Sequence, residues 1–476
     1  MLASKAVPSP SQGYHLTIGT DSNPVLKWVF HRAISACLRS WTTGALIVLA
    51  IVQAGIADQP NIILILADDL GYGDLGCYGS HIQETPHIDQ LAADGIRFTD
   101  FHSAGPMCTP TRAAMLTGLY QQRFGRDFDT ALSGDYEYGL PQEAVTIAEL
   151  LKPQGYATAC IGKWHLGYRP PWLPPNQGFD LFRGLASGDG DYHTHIDRSG
   201  NPDWWHNNQL ESVEGYTTDL LTQFSVEFIR SHRHRPFFLY LPHLAIHFPW
   251  QGPNDPPHRR LGLNYDDDKW GVIPDRSNVV RHVRDMLTAL DASVGAIIAE
   301  LEEWSLRERT LVIFTSDNGG YLTYEPDFKN ISSNGPLRGQ KIQLYEGGHR
   351  VPAIFSWPGT LQSRISEQVA HSIDILPTLA SLAGLQPEEF KTDGQNLLPH
   401  LTGGQNLKER MLFWRARQQS AVRSGPWKLY RDNQRVELYD LQQDLGERHD
   451  LAAQYPQRTA EMIEAWQRWE ESVSNP

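Results

Sequence analysis

Asp68, Asp69, Cys108, Lys163, His165, His247, Asp317, Asn318 and Lys341 are side chains whose types and surroundings could do chemistry together. Cys108 stands in the run Gly-Pro-Met-Cys-Thr-Pro-Thr-Arg-Ala-Ala-Met-Leu-Thr-Gly, residues 105–118. Pro110 pre-sets φ where a helix would begin, and Gly118 stands where one would stop. Thr109 is the N-cap this pattern predicts. Cys108 then lies just ahead of a helix N-terminus, where unpaired N–H groups and the dipole favour an anionic oxygen or thiolate. Arg112, one turn in, can reach back toward it. Taken alone, the same run also describes a buried cysteine before an ordinary capped helix.

The carboxylates follow strands. Asn61 to Ala67 is a short continuous apolar run, the text of a strand buried on both faces, and it ends in Asp68-Asp69. Thr310 to Thr315 reads the same way and ends in Ser316-Asp317-Asn318-Gly319-Gly320. Two such strands place hard oxygen ligands at the carboxyl edge of a sheet, where α/β folds bind ligands. With no Cys-x-x-Cys or His-x-x-x-His nearby, these oxygens suit Ca²⁺, with Mg²⁺ second, rather than zinc. Either site alone would be turn or cap chemistry. Lys163 and His165 leave a third expected strand, Tyr156 to Ile161, between Gly162 and Gly167, which allow close backbone approach. His247 follows a fourth, Pro236 to Leu241; His243 competes with it, and spacing leaves both open. Lys341, in Pro-Leu-Arg-Gly-Gln-Lys, would by itself be a surface lysine.

These segments belong to α/β text with helices on both sheet faces. Helices are expected from Thr85-Pro86 to Asp94, from Val145 to Leu151, and from Val279 to Trp304. Residues 166–215 and 249–278 are rich in Pro, Gly, Trp and Asp and read as long loops, which usually carry recognition. Trp172, Trp204, Trp205 and Trp250 stand in or beside them with Asp189, Asp191, His193 and His195, a mixture suited to sugars, although core packing is the better account of any single Trp. Past residue 395, Ala421–Arg423, Trp427–Tyr430 and Val436–Tyr439 read as short antiparallel strands. A final amphipathic helix follows, with Met462, Ile463, Trp466 and Trp469 on one face.

The 476 residues carry 40% apolar and 20% charged side chains, ordinary globular values, and a net charge of −14. That balance excludes generic nucleic-acid binding, so an anion site must be a local basic cluster. Residues 1–57 read as an export leader: basic residues precede the apolar run Gly44 to Ile56, and Gly55-Ile56-Ala57 has the form of a cleavage site. The run is shorter than the ~20 residues of a membrane span; an uncleaved anchor is the alternative. Residues 58–395 then form a catalytic domain and 396–476 a C-terminal subdomain. Of four cysteines, Cys37 falls in the leader, and Cys77 and Cys160 are expected free and buried.

From about residue 60 to the C-terminus the chain resembles the type I sulfatases of the alkaline-phosphatase superfamily, arylsulfatase and N-acetylgalactosamine-6-sulfatase-like. The resemblance rests on Asp-Asp-Leu-Gly-Tyr-Gly-Asp at 68–74, Cys-Thr-Pro-Thr-Arg at 108–112, Gly-Lys-Trp-His-Leu-Gly at 162–167, Ser-Asp-Asn-Gly-Gly at 316–320 and Tyr-Glu-Gly-Gly-His-Arg-Val-Pro at 345–352. Two motifs depart from the family: Ala245-Ile246-His247 replaces Ala-Pro-His, which leaves His247 the better match, and Gly339-Gln340-Lys341 replaces Gly-Gly-Lys. The resemblance implies a large mixed sheet flanked by helices with a small C-terminal antiparallel-sheet-plus-helix subdomain. It implies a sulfuric ester hydrolase in which a maturation enzyme oxidises Cys108 to formylglycine. The gem-diol would bind a metal held by Asp68, Asp69, Asp317 and Asn318, oriented by Arg112. Lys163 and Lys341 would hold the sulfuryl group, His247 would protonate the leaving group, and His165 would act as base. A sulfated carbohydrate is the substrate class expected, in an exported protein with no stable membrane span. A phosphodiesterase or phosphonate hydrolase of the same superfamily is the nearest rival, and a catalytically dead secreted glycan-binding protein the rival of another class.

Overall fold

Asn61–Ala67 is the axis of the protein, whose computed structural model describes residues 59–133, 137–265, 276–324 and 328–474. The leader expected at 1–57 lies outside the described residues. Every residue of the strand is buried, and alternation of side chains sends them to two cores. Ile63 and Ile65 enter one, with the helices Thr217–His232 and Val279–Glu303. Ile62, Leu64 and Leu66 enter the other, with Cys108–Thr117 and Ile375–Leu382. Helices on both faces are why the strand is apolar throughout.

Among the described residues this strand belongs to a ten-stranded sheet. Its order is Arg364–Ser366, Ile96–Phe98, Ala353–Ser356, Thr310–Ser316, Asn61–Ala67, Phe237–Pro242, Ala157–Ile161, Leu181–Gly184, Trp205–His206 and Gln209–Leu210. The five strands from Thr310–Ser316 to Leu181–Gly184 run parallel, and Ala353–Ser356 pairs antiparallel with the first of them. The sheet is therefore large, mixed and flanked by helices.

The expected elements differ mainly at their ends. The helix expected from Val145 spans Ile147–Leu151, because Thr146 and Glu149 close a reciprocal capping box that leaves Val145 outside. The stretch 166–215, read as loop, contains Leu181–Gly184 and a short antiparallel pair; four residues alternating between part-buried and buried give little period to read. The C-terminal sheet has four strands, Met411–Ala416, Gln419–Ser424, Trp427–Arg431 and Val436–Asp440, one more than expected. Helix Pro456–Ser474 packs on it through Met462, Trp466 and Trp469. A buried ion cluster joins this sheet to the main body: Lys428 Nζ lies 2.9 Å from Glu346 Oε1 and 3.0 Å from Glu447 Oε1. Cys77 and Cys160 are free, Cys160 buried but Cys77 only half-buried. Among the described residues no helix is long and apolar enough to cross a membrane.

Candidate active site

Pairing of Ala67 with Ser316 brings the two acidic strand ends side by side. Asp68 N–H donates to the Ala245 carbonyl (2.9 Å) and Asp317 N–H to that of Ala67 (3.1 Å). Asp69 takes a left-handed φ of 60°, which an aspartate tolerates, and its N–H donates to Asp317 Oδ1. Asn318 Nδ2 donates to Asp69 Oδ1 (2.8 Å), while its own buried Oδ1 has no hydrogen-bond partner. The next residue has to be Gly319: a Cβ there would lie 1.8 Å from the Gly347 carbonyl oxygen. The Ser-Asp-Asn-Gly-Gly and Tyr-Glu-Gly-Gly motifs thus pack backbone against backbone.

Helix Cys108–Thr117 points its first turn at this edge. Its N-cap is Met107, in an extended conformation, so Cys108 is the first helical residue and Thr109 is not the cap. The Thr109 hydroxyl instead donates to the His165 carbonyl and accepts from Leu132 N–H, both at 3.0 Å. Gly118 ends the helix at φ 66°, as its place in the sequence predicts. Arg112 is fully buried and its hydrogen bonds go to carboxylates rather than to Cys108. Nε and Nη2 reach Asp317 Oδ2 (3.1 and 2.9 Å), Nη2 also reaches Asp68 Oδ2 (2.9 Å), and Nη1 donates to the Lys163 carbonyl (2.6 Å). Burial opposes the charge of Asp68, but Lys163, Arg112 and Lys341 together hold its carboxyl below the ordinary range.

Two ammonium groups flank Cys108. Lys163 Nζ and Lys341 Nζ each lie 3.6 Å from Sγ, and they bind Asp68 Oδ2 and Asp69 Oδ1 respectively at 2.5 Å. Burial and the Asp68 charge still push the Cys108 thiol up to about 12, so it is a neutral thiol rather than the thiolate a helix N-terminus alone would favour. Burial, opposed by Lys341 and reinforced by Asp68 and Asp317, pushes Asp69 up to about 7. Carboxylates so crowded call for a further positive charge. The orphaned Asn318 oxygen and the all-oxygen set of Asp68, Asp69 and Asp317 fit a hard divalent cation. Asp68, Asp69, Cys108 and His247 offer ligand atoms within 4.8 Å of one another.

Lys341 is aimed by an unusual backbone. Its neighbour Ile342 sits at φ 71°, rare for a β-branched residue, held by its N–H on the Pro106 carbonyl (2.9 Å) and by Gln419 Nε2 on its own carbonyl (3.0 Å). Gln419 comes from the C-terminal sheet.

The histidines separate by position. His247 Nδ1 donates to the Phe248 carbonyl (2.6 Å), which leaves Nε2 facing the carboxylates, 3.8 Å from Asp69 Oδ2. Burial first, then Lys163 and Lys341, hold its pKa well below the usual value. His243 turns away and meets Ser293 Oγ through Nε2 at 3.3 Å. His165 adopts φ 58°; its Nε2 donates to the Leu132 carbonyl (2.9 Å), and its buried Nδ1 has no partner.

A cavity of about 770 Å³ opens over Cys108, lined by His165, His247 and Lys341. Asp189, Arg198 and Tyr321 also line it. Asp189 was legible as a loop carboxylate; Arg198, bound to it at 2.6 Å, and Tyr321 carried no signal of their own. Trp204 and Trp250 are core residues, 1% and 2% exposed. Asp191 is a loop organiser that accepts the N–H groups of His193, Thr194, His258 and Arg259.

Residues 60–385 match the sulfatase family and residues 340–471 match the C-terminal region of N-sulphoglucosamine sulphohydrolase. The chain belongs to the sulfatase family and is a sulfatase. It is 36% identical to arylsulfatase A of Bos taurus, over 80% of this chain and 76% of that protein. It is 35% identical to N-acetylgalactosamine-6-sulfatase of Canis lupus familiaris, over 79% and 72%. The crystal structure of Ps i-CgsB in complex with k-i-k-neocarrahexaose superposes with a TM-score of 0.75 at 31% identity, covering 87% of this chain and 93% of that one.

Proposed function

We propose that this sulfatase removes sulfate from a sulfated carbohydrate by S–O cleavage, with residue 108 acting as formylglycine. The observation that carries the reading is the position of the Cys108 side chain, 3.6 Å from two ammonium groups and 3.6 Å from Asp68 Oδ1, where an attacked sulfuryl group would sit, while burial and the Asp68 charge hold it as a neutral thiol. A neutral thiol is a poor nucleophile. Formylglycine supplies an aldehyde whose hydrate offers a hydroxyl there instead.

Asp68, Asp69, Asp317 and Asn318 would hold the cation, Ca²⁺ before Mg²⁺, with Arg112 fixing Asp68 and Asp317 in place. Such an ion supplies positive charge beside the developing anion. Lys163 and Lys341 bind the sulfuryl oxygens and hold sulfur in line with residue 108. His247, its Nδ1 committed to Phe248, delivers a proton from Nε2 of its imidazolium form to the departing sugar oxygen and is left as the neutral ring. His165, with Nδ1 unpartnered, is the base available for product release. The sugar reading is supported by the hydrogen-bonding side chains Asp189, Arg198 and Tyr321 in the cavity wall and by the names of the N-acetylgalactosamine-6-sulfatase relative and the neocarrahexaose complex. Export through the 1–57 leader and modification by a maturation enzyme belong to the same reading.

Peptide mass spectrometry of active protein from its native source should find the aldehyde or its hydrate at position 108. Full activity with an unmodified cysteine would remove this nucleophile. Sulfate release should be measured on sulfated sugars beside a phosphodiester; faster turnover of the diester would favour the rival hydrolase. Solvent ¹⁸O should enter sulfate and not the sugar hydroxyl.

A further inference from the structure

A second cavity, of about 610 Å³, lies on the C-terminal sheet and meets the catalytic cavity at Arg417. The backbone also links the two, because Gln340, Lys341 and Ile342 line the first and Gln343 and Tyr345 the second. Arg417 is exposed at the turn between Met411–Ala416 and Gln419–Ser424.

Its lining is chemically narrow. Gln343, Gln418, Asn433 and Gln434 present carboxamides, a group that can both donate and accept, as hydroxyl groups require, while the Gln419 amide is engaged within the protein. The charged members neutralise one another, Arg435 Nη2 lying 2.7 Å from Asp432 Oδ2. Tyr345 and Tyr430 stack at 4.2 Å and stiffen the wall. Gln419 ties that wall to the Lys341 segment, donating to Ile342 and accepting from Leu344 N–H. Asn433 Nδ2 donates to Gln418 Oε1, pre-positioning both amides. The lining side chains are all polar, with the Arg435 charge met by Asp432 and the exposed Arg417 guanidinium where the cavity meets the site. Guanidinium is suited to planar or tetrahedral anions.

Resting on the carbohydrate reading above, we infer that this cavity is a saccharide-binding groove. It would take the sugar units beyond the one being desulfated, with Arg417, shared by the two cavities, binding a sulfate or carboxylate on the first of them. The substrate class is then an oligo- or polysaccharide rather than a sulfated monosaccharide.

Two measurements test it separately from the chemistry. Size-defined hexasaccharides of chondroitin 6-sulfate, dermatan sulfate, heparan sulfate and carrageenan, each beside its own sulfated monosaccharide, are titrated into Asp317→Ala protein by calorimetry. At least one hexasaccharide should bind about tenfold or more tighter than its monosaccharide. Arg417→Gln with Asn433→Ala, both at exposed positions, should bring that ratio close to one. The second measurement is kcat/KM of the mature enzyme on the same pairs, where the same preference and the same loss should appear. No hexasaccharide preference, or a preference that the double variant leaves intact, overturns the groove. Tighter hexasaccharide binding without sulfate release from any pair would keep the groove and overturn the reaction.

Discussion

Lys163 and Lys341 stand at the same 3.6 Å from Cys108 Sγ, yet each is anchored by a different member of the Asp68–Asp69 pair. The two ammonium groups therefore serve one anion while being positioned independently. Lys163→Ala and Lys341→Ala should each lower kcat/KM on nitrophenyl sulfate by ~10²–10³, the worth of one preorganised donor. The double variant should lose less than the product of the two, since both contact one group. Arginine at either place should not restore activity, because a planar fork cannot occupy the space of a point charge. A loss below threefold in steady-state kinetics would remove that lysine from the site.

His247 offers a test by leaving group. A sugar alkoxide needs a proton to depart and nitrophenolate does not, so His247→Ala should hurt sugar sulfates more by up to ~10²–10⁴-fold. His243→Ala should show no such selectivity. The pH sign follows from the depressed pKa of His247. The proton-bearing form exists below that pKa, itself below the ordinary 6.5, and is lost as pH rises through it. For sugar sulfates kcat/KM should therefore increase as pH falls from 7 toward the depressed pKa of His247, whereas nitrophenyl sulfate should lack this limb. Identical profiles for both substrates would reassign His247 to binding.

Removing divalent cations should abolish turnover and lower the melting temperature together. Ca²⁺ at 100 times its Kd should return ~2.7 kcal/mol of stability. Asn318→Ala should weaken Ca²⁺ binding while leaving the fold intact, since its Oδ1 satisfies nothing else. Full activity after exhaustive chelation, or stoichiometric zinc in active protein, would defeat the assignment.

Lys428 carries a prediction about stability alone. It is the counter-charge of buried Glu447 and shares buried Glu346 with Arg350, 3.2 Å away, and burial already pushes Glu447 up to about 7. Lys428→Met should destabilise the protein by ~3–5 kcal/mol, the usual cost of stranding a buried charge. Adding Glu346→Gln and Glu447→Gln should recover part of that loss in denaturant unfolding.

The sequence made the strand ends legible because continuous apolar runs terminating in Asp68-Asp69 and Asp317-Asn318 leave few alternatives. It could not separate His243 from His247, since both follow the same strand; a hydrogen bond to Ser293 and another to Phe248 decide it, and both are tertiary. It placed Thr109 at the cap by residue type, but Thr109 is claimed by the His165 carbonyl and Leu132 N–H, contacts between distant segments. Arg112 was visible, though its partners were not: distance along the chain hides that Asp317 lies nearer than Cys108. Arg198 and Tyr321 had no local pattern at all.

Ile342 gives the order of synthesis a meaning. Its left-handed backbone costs on the order of 1–3 kcal/mol, and Gln419 is one of the two groups that hold it there. Every side chain that does chemistry precedes Ile342 in the chain, but Gln419, which holds Ile342, follows it by 77 residues. A chain cut short before Gln419 would own a complete inventory of reactive groups and no working enzyme, so competence waits for the first hairpin of the C-terminal sheet.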